Sequence, residues 1–120
     1  MEIVPEKVDG VKILSGPRTE QHILREMVPI VCNGQVLFQQ MAAKDNALQP
    51  GTAVYKVTVE HTGEVYSAEV IKSDIQSKLL LQEVGDFIMD TDFVSWVTPE
   101  EEETVFIYPI TFRNYESKSN

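Results

Sequence analysis

The chain has 120 residues, 42% of them hydrophobic and 24% charged, with a formal net charge of −9. That suits one domain with a single core and excludes a wholly disordered chain. Ten Lys and Arg against nineteen Asp and Glu leave no cationic cluster to release counterions from phosphates, so nucleic acid is excluded as a partner and anionic membrane surfaces are disfavoured, while basic proteins are not.

The longest apolar runs, such as Leu79-Leu80-Leu81, are too short to cross a bilayer, so no direct membrane insertion is expected. The first twenty residues lack the basic start and apolar stretch of a signal peptide. One Cys cannot form an internal disulfide, and no CxxC or Cys/His spacing suggests zinc. No metal and no cofactor are expected.

Residues 1–17, with Pro5, Gly10, Gly16 and Pro17, read as a loose arm that holds one short strand at Val11 to Leu14. Thr19 is a helix N-cap with Glu20 in the first turn. Ile23, Met27, Ile30, Val31, Leu37, Phe38 and Met41 then recur at helical spacing. Pro29 lies inside that pattern and predicts a kink or break near Val28.

After a loop over 44–50, Ala53, Tyr55, Val57 and Val59 alternate with Val54, Lys56, Thr58 and Glu60, a half-buried strand. His61-Thr62-Gly63 turns the chain back, with Gly63 supplying a positive φ. In the returning strand Val65 is odd-numbered but Ala68 and Val70 are even-numbered. A β-bulge near Tyr66-Ser67 restores the phase. Ser73 or Asp74 caps a second helix with the stripe Ile75, Leu79, Leu80, Val84, Phe87 and Ile88, ending near Asp90. An apolar connector follows, with Phe93, Val94, Trp96 and Val97, then Pro99 and the run Glu100 to Glu103. The last strand is Thr104 to Phe112, and residues 114–120 form a polar tail. The order predicts an α+β fold, a small antiparallel sheet with two main helices packed on one face.

Few residues suggest chemistry. Cys32 needs a nearby His to act as a nucleophile, and a buried structural thiol is the plainer reading. His22 and His61 lack a third ligand for a metal. Asp86, Asp90 and Asp92 read as a solvated helix end, without a calcium-loop pattern. Trp96 is either an exposed anchor or core packing beneath the last strand. No phosphate cradle or nucleophile elbow occurs, so the expectation is a protein without enzymatic activity.

Gly51, Tyr55, Val57, Val59, Gly63, Val65, Ala68, Val70 and Ser73, followed by Val84, Ile88, Phe93 and a closing Tyr108-Pro109-Ile110-Thr111-Phe112, form an ordered set. This set resembles the carboxy-terminal domain of TonB-type energy transducers, and among them the variant ending AgmX/PglI gliding-motility proteins. The likeness covers about residues 14–112, with Cys32 where the family often begins a Cys-Tyr-Glu triplet. The family's second Cys is replaced by Glu83, and the glycines before its last strand by Glu101 and Glu102. The resemblance implies a domain that transmits force or holds partners in a bacterial envelope, often by pairing a sheet edge with an extended peptide. The implied location is periplasmic if these residues belong to a membrane-anchored protein, and cytoplasmic if they are the whole of it.

Pro109 cannot donate to a ladder and belongs at a sheet edge or bulge, so the last strand is expected to be an edge strand, at least from Pro109 onwards. That edge either accepts another strand or is merely protected from association by Pro109. On the first view Val105, Ile107, Tyr108 and Pro109 bind a peptide or a second copy in a homodimer, and Glu100, Glu101, Glu102 and Glu103 either draw a basic partner or form a solvated loop. The alternative function is a small-ligand or enzymatic domain of the cystatin-like helix-plus-sheet kind, which the helix between Ser73 and Asp90 argues against.

Overall fold

The computed structural model describes residues 10–114. The expectations for the rest of the arm and for most of the tail lie outside the described residues. In chain order the elements are β1 (Lys12–Ser15), α1 (Glu20–Lys44), β2 (Gly51–Val59), β3 (Val65–Ser73), α2 (Lys78–Met89) and β4 (Thr104–Phe112). The fold is α+β, as expected. The four strands form one antiparallel sheet in the order β1-β4-β2-β3.

The alternation along β2 decides which face is covered. Ala53, Tyr55, Val57 and Val59 are buried, and so are their β4 partners Ile110, Tyr108, Phe106 and Thr104. Both helices lie on that face. Helix α1 packs His22, Ile23, Met27, Ile30, Gly34 and Phe38 inward, and α2 packs Leu80, Val84 and Ile88. Gly34 lets α1 approach closely, because a Cβ there would stand 3.3 Å from both Phe112 and Val84.

Helix α1 starts where expected, since the Thr19 hydroxyl accepts the His22 N–H at 3.1 Å. It does not break at Pro29. The helix is continuous through Pro29, which is exposed, as is Arg25 one turn earlier. The backbone carbonyl left without a donor therefore faces solvent, where water can satisfy it. Helix α2 begins later than expected. Ser73 stays in the ladder opposite Ala53, and its hydroxyl accepts the Ile75 N–H at 2.8 Å. Ser77 is the cap, accepting from Leu80 N at 3.1 Å. Ile75 is buried before the helix starts, and Leu79 is exposed rather than part of the buried stripe.

The hairpin forms as expected, with Val54 opposite Lys72 and Val59 opposite Val65. Its turn is closed by Gly63 N–H to Glu60 O at 2.9 Å and Glu60 N–H to Glu64 O at 2.8 Å. The bulge falls at Tyr66, between the pairs Thr58–Ser67 and Val59–Val65. A second bulge, at Ile71, separates the pairs Val54–Lys72 and Tyr55–Val70.

Gly63 has φ +105°, and a Cβ there would collide with the carbonyl of Phe93. Replacing Gly63 by Val should therefore cost about 2 kcal/mol or more, combining left-handed strain with that overlap. Urea unfolding of Gly63→Val and the parent protein measures it, and an unchanged midpoint would contradict this account of the turn.

Candidate functional site

Strand β4 is an edge only from Pro109 onwards, as expected there, where no described residue pairs with it on the β1 side. Its first half is paired on both sides, with Val105 and Ile107 opposite Ser15 and Lys12 of β1 and opposite Thr58 and Lys56 of β2. The proline argument holds only locally. Odd-numbered β2 residues direct their backbone groups at β4, so Tyr108 faces β2 while Ile107 and Pro109 face the β1 side. Pairing with β1 ends at Ile107, before the residue that has no donor to give. Gly10 packs against the Pro109 ring so closely that a Cβ would overlap it.

The other expected partner residues are divided by the sheet. Val105, Ile107 and Pro109 are half-buried on the face that carries no helix. Tyr108 points into the core, and burial raises the pKa of its hydroxyl, so it is not available to a partner. Glu100, Glu101, Glu102 and Glu103 are all exposed in the loop before β4. Glu101 has φ +53°, a left-handed conformation at a position where the resemblance has glycine.

Among the described residues, the outer edge of β3 is open. Glu60 N–H donates to Glu64 O and Asp74 N–H to Thr52 O, so even-numbered β2 residues direct their backbone groups at β3. Their partners Ser67, Glu69 and Lys72 bond inward, which leaves the backbone groups of Ala68 and Val70 directed outward. Beside them Tyr66 is 68% exposed, Ile71 49% and Val70 37%.

A second cluster was not expected from the sequence. Arg18 is 2% exposed. Its guanidinium donates to Val94 O at 2.7 Å, to Glu60 O at 2.9 Å and to His22 Nε2 at 2.8 Å, and its backbone N–H donates to Thr104 Oγ1 at 3.3 Å. Its charged carbon lies 5.6 Å from the centre of the Phe93 ring and 5.9 Å from that of Trp96. No carboxylate pairs with it among the described residues, and its Nε has no partner. Burial lowers the pKa of the guanidinium, opposed by Glu26, but a group this basic stays charged. His22 accepts from Arg18 through Nε2, so its proton sits on Nδ1, which faces Glu26 at 3.9 Å. Trp96 is half-buried and meets the His22 ring at 4.8 Å with the planes tilted by 50°, so it is not a free anchor. Arg18, His22, Phe93 and Trp96 form a clasp that ties the Thr91–Pro99 connector to α1 and to the hairpin turn.

Compared with protein-family models, curated proteins and solved structures, the chain matches none.

Cys32 is exposed, which corrects the expectation of a buried thiol. Ile30 and Gly34 take the core side of α1, and Cys32 lies about 200° around the helix from Ile30. His61 belongs to the turn, where its backbone carbonyl accepts the Trp96 N–H at 2.8 Å. No group of three His, Cys, Asp or Glu side chains that could hold a metal occurs among the described residues, and no helix among them is long and apolar enough to cross a membrane. The depression lined by Thr19, Glu20, Gln21 and Leu24 is an open surface feature.

Arg18→Met should cost about 2–4 kcal/mol, because it strips the Val94 and Glu60 carbonyls of their donors inside the clasp. Stability should also depend on His22. Desolvation, then the charge of Arg18, lowers its pKa in the folded state. The unfolded chain therefore takes the proton first. The stabilisation is complete above the ordinary histidine pKa of about 6.5 and is lost as pH falls from there toward the folded value. Thermal unfolding between pH 8 and 5 should show this decline, and His22→Gln should flatten it. Equal slopes for the two proteins would contradict it.

Proposed function

We propose that this protein is a non-enzymatic interaction module that takes an extended peptide segment onto the edge of β3. The free edge carries this reading: Ala68 and Val70 turn unpaired donors and acceptors outward, flanked by the exposed side chains of Tyr66 and Ile71. Main-chain bonds would supply affinity and the flanking side chains selectivity. The bulges at Tyr66 and Ile71, and the charges of Glu69 and Lys72, confine regular pairing to a short stretch. That favours one short peptide over unlimited sheet growth.

Charge supports a basic partner. The run Glu100 to Glu103 lies at the hairpin-turn end of the sheet, where Val59 opposes Thr104. Such rim charges speed the encounter of oppositely charged surfaces more than they hold them together. The likeness of Gly51 to Phe112 to TonB-type domains points the same way, and would place the module in an envelope energy-transduction or motility assembly. A second copy of the domain is the other candidate for the edge.

Val70→Pro removes one outward donor and leaves the ladder with β2 intact. Peptides selected from a displayed random library should shift the amide signals of residues 66–72 most. Val70→Pro should weaken their binding by about 1–2 kcal/mol. Sedimentation of the protein alone separates self-pairing from peptide capture. Selected peptides that bind Val70→Pro equally well and shift only helix amides would overturn the reading.

A further inference from the structure

The clasp contains one side chain whose hydrogen-bonding role reverses with protonation. A guanidinium has donors and no acceptor, so the 2.8 Å contact between Arg18 Nη1 and His22 Nε2 exists only while that nitrogen is bare. We propose that this contact is a proton-operated latch, in which neutral His22 fastens the Thr91–Pro99 connector onto α1 and protonated His22 releases it.

A proton arriving on Nε2 turns the acceptor into a donor facing a donor, and places two cations in contact. Arg18 cannot yield its own proton, so the pair must separate. The connector depends on that pair. Val94 O is held by Arg18, Trp96 rests on the His22 ring, and Phe93 meets the same ring edge-on at 6.2 Å. The far side of the connector is held separately, by Phe93 N–H to Gly63 O at 2.9 Å and Trp96 N–H to His61 O at 2.8 Å. Release from α1 therefore leaves the connector attached to the hairpin and does not require the sheet to open.

Three charges act on His22. Arg18, just before α1, and Arg25, on α1, oppose its protonation, and Glu26 on α1 favours it. The connector and the turn contribute rings and carbonyl oxygens at this contact. Glu26 faces Nδ1, not Nε2, so it does not relieve the clash with Arg18.

Release would change what the acidic end presents. Val94 and Val97 are already 62% and 87% exposed, immediately before Glu100 to Glu103. Freeing Phe93 and Trp96 would add two aromatic rings to that apolar and acidic surface, in a pH-dependent way.

Trp96 is the only tryptophan in the chain, so it reports on the latch directly. The test uses the full chain, with His61→Gln in every background to remove the other histidine. On acidification from about pH 6.5 toward the His22 midpoint, Trp96 emission should shift to the red and the ring proton signals of Phe93 and Trp96 should move, while the Phe93 and Trp96 amides stay protected by Gly63 O and His61 O. These changes should track the His22 ring signals, while far-ultraviolet circular dichroism stays constant. His22→Gln keeps an acceptor that does not titrate, and should show neither change. An identical acid response in His22→Gln, or titration of His22 with no change at Trp96, would overturn the latch. If His22→Gln fails to fold, the nitrogen shifts of His22 at neutral pH decide the matter. A protonated Nε2 there contradicts the proposal, and a bare one supports it.

Discussion

A buried guanidinium cannot discharge itself, so every segment around Arg18 has to offer it an acceptor or a π-face. Three parts of the chain meet that demand. Helix α1 supplies His22, the β2–β3 turn supplies Glu60 O, and the connector supplies Val94 O with the rings of Phe93 and Trp96, while Thr104 of β4 accepts from the Arg18 backbone N–H. The start of the long helix, the hairpin turn and the entry to the last strand are thereby fixed at one end of the molecule. Glu60, Glu64, Asp92 and Glu100 to Glu103 belong to the same turn, connector and loop. The carboxylate that favours the buried cation is Glu26, without a direct ion pair.

The sheet then sets what remains open. Because β4 lies between β1 and β2, its backbone is engaged on both sides from Val105 to Ile107, the first of the residues where a partner strand was expected. The outer edge of β3 has no ladder partner among the described residues, and its two bulges push Tyr66 and Ile71 out of register beside the short regular stretch. The proposed recognition edge and the proposed latch are thus on different elements, joined by the hairpin turn that both use.

How far the sequence revealed this depends on what each residue's neighbours imposed. The period-two pattern of β2 was readable because one face is buried, and the bulge at Tyr66 because Val65 and Ala68 cannot share a face without it. The bulge at Ile71 was hidden, since the core-facing residue beyond it is Ser73, whose polarity marks no phase. Pro109 did mark where β4 becomes an edge, but a missing donor at one residue could not tell that β1 covers Val105 to Ile107 before it. Pro29 was over-read, because its exposure lets solvent satisfy the bond it removes. Arg18 was missed because a lone arginine between Pro17 and Thr19 looks solvated. The available signal was the four-residue spacing of Arg18, His22 and Glu26, ahead of a connector rich in aromatic residues.

The central claim is that Arg18 makes the helix start, the hairpin turn and the connector one cooperative unit. Amide hydrogen exchange across the whole chain, in the parent protein and in Arg18→Met, tests it most directly. The account predicts that the amides of Ile23, Gly63, Phe93 and Trp96 share one opening free energy in the parent protein. In Arg18→Met that unit should divide, with Phe93 and Trp96 exchanging well before Ile23 while the β2–β4 amides hold. Independent opening of the connector in the parent protein, or a uniform loss of protection over the whole chain in the variant, would contradict it.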